Sequence, residues 1–94
     1  MDVKVVDYDS SENENYVIYK ISNLPLNQLE YLNNNLEDET VLKENYLILK
    51  IYYEKEIFPF NSEASKLKLE DYIARDEIEM NVFLSSYLEN FKPI

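Results

Sequence analysis

One octapeptide pattern occurs twice, 30 positions apart, and it restricts this chain more than any other feature. Glu14-Asn15-Tyr16-Val17-Ile18-Tyr19-Lys20-Ile21 and Glu44-Asn45-Tyr46-Leu47-Ile48-Leu49-Lys50-Ile51 agree at six of eight positions. Both runs alternate with period two, as a strand with one buried face does. In the second run Leu47, Leu49, Ile51 and Tyr53 fall on one side, which reads as core. Tyr46, Ile48, Lys50 and Tyr52 fall on the other, joined by Tyr16, Ile18 and Lys20 of the first run. Tyrosines set around lysines suit a half-exposed or partner-facing surface.

Each run is followed by the same punctuation, Leu24-Pro25-Leu26-Asn27 and Phe58-Pro59-Phe60-Asn61. Proline stops a strand, its apolar neighbours dock on a core, and asparagine caps the helix that comes next. Two related strand-helix units, each too small to bury its own apolar face, would share one core. A helix joining the two repeated strands directly would make them parallel with a right-handed crossover. A short strand at Thr40 to Leu42 would instead make each half a hairpin plus a helix. The expected fold is α+β in a single domain over residues 1–94. Its sheet is small, mixed or antiparallel, with helices on one face. The order is β-β-α-β-α(-α), with three strands, or four if residues 40–42 pair.

The remaining segments fit around this frame. Asp2 to Tyr8 reads as a first strand, with Val3 and Val5 on one face and Lys4, Val6 and Tyr8 on the other. The polar stretch from Asp9 to Asn15 reads as a hairpin loop. Asn27 with Glu30 has capping-box spacing and Leu26 can staple onto Tyr31, while Asn33-Asn34-Asn35 ends that helix. Residues 37–43 fit a loop, a helical extension or a strand. From Ser62 to Phe91 the spacing is helical, with Met80, Phe83, Leu84, Tyr87, Leu88 and Phe91 on one stripe. Asp76 with Glu79 repeats the capping-box spacing, so one bent helix or two consecutive helices both satisfy the pattern.

Composition sets the function classes. Nineteen acids against nine bases give a net charge of −10, which disfavours direct contact with nucleic acid or an anionic membrane and favours basic proteins. Histidine and cysteine are absent, which removes the commonest general base, thiol nucleophiles and thiolate zinc sites. Glycine is absent too, so no glycine-rich phosphate loop exists and any positive-φ turn falls to Asn or Asp. No enzyme, cofactor or metal is expected. The acids Asp7, Asp9, Glu12 and Glu14 lack the glycine and the terminal bidentate acid of a calcium loop. With no signal-peptide pattern and no apolar run of spanning length, the chain reads as soluble and cytoplasmic.

Two features remain as candidate partner-binding elements. The first is the tyrosine face, with Tyr16, Tyr46 and Tyr52 as exposed anchors, because tyrosine brings contact area at small entropic cost. The second is a set of carboxylates. Glu37, Asp38 and Glu39 form one run, and Glu63, Glu70 and Glu77 recur by heptads with Asp71, Asp76 and Glu79 beside them. A rigid carboxylate array can occupy a groove built for phosphates. In composition the chain resembles the acidic antagonists of mobile elements, including nucleic-acid mimics and inhibitors of defence nucleases. It also resembles the immunity proteins that neutralise basic nuclease toxins. The resemblance implies a non-enzymatic inhibitor docked on the basic surface of a nucleic-acid-handling protein. The alternative expectation is a self-associating structural or adaptor subunit, such as a homodimer, paired through the tyrosine face.

Overall fold

The computed structural model describes residues 1–10, 14–54, 58–59 and 69–92. The elements are β1 (Asp2–Ser10), β2 (Asn15–Ser22), α1 (Leu26–Asn35), β3 (Glu39–Leu42), β4 (Leu47–Tyr52) and α2 (Leu69–Leu88). The sheet has four strands in the order β1-β2-β4-β3, every neighbour antiparallel. The architecture is two ββα halves, as the hairpin-plus-helix arrangement requires, and the direct parallel crossover is ruled out. The two repeated runs are the central strands. Tyr19 and Leu49 occupy equivalent positions in the repeat and are paired with each other, so a local two-fold axis passes between them.

Alternation places Val17, Tyr19, Ile21, Leu47 and Leu49 on the inner face, all fully buried. Against them pack Leu29 and Leu32 from α1 and Met80 and Leu84 from α2. Each such side chain contributes roughly 1.5–3 kcal/mol by leaving water, and this core holds the sheet against both helices. Both helices serve one face of the sheet.

Two local expectations are corrected and one open alternative is decided. A bulge falls between Val5 and Asp7, and its extra residue reverses the alternation of β1 from that point. Tyr8 therefore turns to the inner side, its ring 6.4 Å from that of Phe58, and Asp7 and Asp9 turn outward. The helix α1 starts at Leu26, its first turn closed by the Pro25 carbonyl with no side-chain cap, so Asn27 lies inside the helix. Leu26 is exposed and does not act as a staple. Of the two readings of the C-terminal stripe, the single helix holds over the described residues: α2 runs unbroken through Arg75 and Asp76, with Asp76 facing the core. The cap assigned to Asn61 lies outside the described residues. Asn23 does take the positive-φ turn expected of asparagine, with φ of 58° after β2.

Candidate functional site

No described helix covers the outer face of the sheet. Pairing across the strands gives it four rows. Asp9, Tyr16 and Tyr52 form the first, and Asp7, Ile18, Lys50 and Glu39 the second. Lys4, Lys20, Ile48 and Val41 form the third. Asp2 and Ser22 belong to the fourth, which is completed by Tyr46 and by Lys43, whose amide donates to the Tyr46 carbonyl. All seven residues assigned to this face from alternation lie on it.

Lysine and tyrosine interleave here in matched pairs. The Lys20 ammonium lies 4.6 Å from the centre of the Tyr46 ring, and that of Lys50 lies 4.4 Å from the centre of Tyr16. The local two-fold axis exchanges these pairs, so the repeated octapeptide builds the same cation-π contact twice. Lys50 also sits over Tyr52, whose ring meets Tyr16 edge-on at 6.3 Å. The Tyr52 hydroxyl donates to Glu39 Oε2 at 3.5 Å, which ties the 37–39 run to the tyrosine face. Lys50 is pushed above its usual pKa first by a hydrogen bond with Tyr52, with Glu39 and Glu14 adding to the effect against some desolvation. Loss of solvent, and then Asp7 and Asp9, raise Tyr16. The Tyr16–Tyr52 end of the face is thus acidic around an aromatic pair. Tyr52 is 54% exposed and Tyr16 and Tyr46 are half-buried.

The carboxylates of α2 do not form one array. Asp76, taken from the sequence as a surface acid, is buried and accepts a 2.5 Å hydrogen bond from the Tyr19 hydroxyl. Because Tyr19 gives its proton to Asp76, the Tyr53 hydroxyl at 3.1 Å donates to Tyr19. Burial raises the Asp76 carboxyl, the Tyr19 bond opposes this, and Glu79 and Glu77 raise it further. Desolvation and the bond to Asp76 push Tyr19 up as well. Glu77 Oε2 accepts the Val5 amide at 2.8 Å and closes part of the β1 edge. Glu79 pairs with Arg75 at 3.4 Å, the expected i,i+4 partner. Glu70 and Asp71 are exposed in the first turn of α2. Glu37 and Asp38 are exposed between α1 and β3, and Glu39 is exposed as the first residue of β3. Glu63 lies outside the described residues. Ile78 and Val82, each 67% exposed, interrupt the acids on the outer side of α2.

Sequence reasoning missed the Tyr19–Asp76–Tyr53 chain. Its signal is that Asp76 stands four positions before Met80 and eight before Leu84, inside the apolar stripe. Beside this chain Tyr53, Tyr72, Arg75, Asp76, Glu79 and Phe83 line an open hollow of about 470 Å³. Among the described residues no three acids gather as a metal site. No helix among them is long and apolar enough to cross a membrane.

These features define a small α+β fold of repeated ββα plan, with one sheet face that no described helix covers. Residues 2–90 match the family described as a family of unknown function (DUF5750), and the chain belongs to that family. No curated protein matches it.

Proposed function

We propose that this chain is a non-enzymatic, cytoplasmic inhibitor that grips a basic, nucleic-acid-handling protein with the Tyr16–Tyr52 end of its open sheet face. The observation that carries the reading is the aromatic pair of exposed Tyr52 and half-buried Tyr16, set among Asp7, Asp9 and Glu39 on a face no described helix covers. Tyr52 and Tyr16 supply the desolvated anchor, and the carboxylates around them meet lysines and arginines of the partner. The net charge of −10 steers encounter from a distance. The docking surface differs from the array expected on the C-terminal helix, since Asp76, Glu77 and Glu79 are engaged within the chain.

Affinity capture from the native cells tests this, with wild type and the Tyr16→Ala/Tyr52→Ala pair as baits. The expected result is one basic nucleic-acid-binding protein, released by salt, lost from the double variant, and freed of its nucleic acid when bound. Capture that ignores salt, or that survives loss of both tyrosines, contradicts the reading.

A further inference from the structure

The strand register sorts the charges of the open face by height along the strands. The two rows at the Tyr16–Tyr52 end carry Asp7, Asp9 and Glu39 against Lys50. The two rows at the other end carry Lys4, Lys20 and Lys43 against Asp2. Nothing in the linear sequence displays this polarity, because the bulge after Val5 is what brings Asp7 and Asp9 to the same side as Lys4.

We infer that two copies of this chain pair face to face through these sheets, about a two-fold axis lying across the strands. Such an axis keeps β1 over β1 and β3 over β3 and reverses the strand direction, so the first row of each copy covers the fourth of the other and the second covers the third, with Asp9 over Asp2 at the outer corner the one like-charge contact. Asp7 then meets the partner copy's Lys4, twice per dimer. Lys43 meets the run from Glu37 to Glu39, Tyr52 meets Tyr46, and Ile18 and Ile48 lie between the charged flanks. An axis along the strands would set Asp7 over Glu39 and lose both Asp7–Lys4 pairs, so charge selects the first arrangement. Aligned sheet packing of this kind is a standard way to cover an open antiparallel face. Four strands about 4.8 Å apart make a narrow platform, at the low end of specific interfaces, so the pair is reversible.

This inference deepens the proposed function and rests on it in one respect. The dimer hides Tyr16 and Tyr52, the anchors assigned to the basic partner, so self-pairing and partner binding exclude each other and the dimer holds the inhibitor in reserve.

Sedimentation equilibrium of the purified full chain across a concentration series tests the pairing. A reversible monomer–dimer equilibrium is expected. Asp7→Lys or Lys4→Asp alone should weaken it about tenfold or more, since each sets like charges opposite one another, and the two together should restore it. Glu37→Lys with Lys43→Glu provides a second pair should either first variant lose its fold by circular dichroism. All four positions are exposed. A monomer at every concentration overturns the inference, and so does a dimer indifferent to these reversals or not restored by the double change. The measurement uses the chain alone, so either result leaves the capture experiment to judge the basic partner independently.

Discussion

The two faces of this sheet are made from the same two strands and do opposite work. Val17, Tyr19, Ile21, Leu47 and Leu49 point inward and are sealed by both helices. Their neighbours Tyr16, Ile18, Lys20, Ile48 and Lys50 point outward and are held by one another, lysine over tyrosine, with no helix above them among the described residues. One residue of register separates the two sets. Stability is therefore concentrated on one face, and the other is free to carry a surface whose residues can change without unfolding the chain.

That contrast can be broken most forcefully by truncating across it. Leu49→Ala removes a fully buried side chain at the local two-fold axis and should cost about 2–5 kcal/mol by urea unfolding. Ile48→Ala, one residue along and outward, should cost less than about 1.5 kcal/mol. Equal losses would mean that the outer face contributes as much to stability as the inner one does. Next comes the polar group inside the core. Tyr19→Phe leaves the buried Asp76 without its donor and should destabilise by about 1–3 kcal/mol.

Asp76→Asn sharpens the same point through pH. Asparagine still accepts the Tyr19 hydroxyl but carries no buried charge. In the folded chain Asp76 keeps its proton to a higher pH than its ordinary 3.8, chiefly because it is buried. Its contribution is therefore complete below the unfolded value and is lost as pH rises through the folded one. The variant should be at least as stable as wild type at neutral pH, and wild type should gain on it as the solution is acidified from neutral toward about pH 4, with no further gain below that. A difference that stays constant with pH would show that Asp76 titrates alike in both states. The smallest effect belongs to the sheet edge. Glu77→Ala frees the Val5 amide and should cost about 1 kcal/mol, with faster hydrogen exchange at Val5 as the local readout.

Much of this was legible because alternation is a strong signal where one face is buried. The central strands, the inner residues from Val17 to Leu49 and the outward tyrosines all follow from period two. What escaped depends on contacts distant in sequence. The strand β3, Glu39–Leu42, was legible only as one of three readings of residues 37–43, because four residues are too short to show a pattern and its pairing with β4 decides it. The bulge at Val6 is invisible in Val5-Val6-Asp7, yet it decides which side Tyr8 and Asp7 face. Capping-box spacing misled at Asn27, and at Asp76 it left one helix or two open, because the motif is local. At Asn27 the Pro25 carbonyl starts the helix, and at Asp76 burial overrides it. Heptad spacing put Glu70 and Glu77 on one stripe of α2, but it cannot say that Glu77 reaches a strand edge.

The central claim is that the outer face is held back from the fold's own stability for the sake of an interaction, and Tyr52→Ala tests it most directly. Unfolding free energy and capture of the basic partner are measured on the same preparation. The predicted result is stability within about 1 kcal/mol of wild type together with loss of capture. Capture at the wild-type level by a stably folded variant would contradict it.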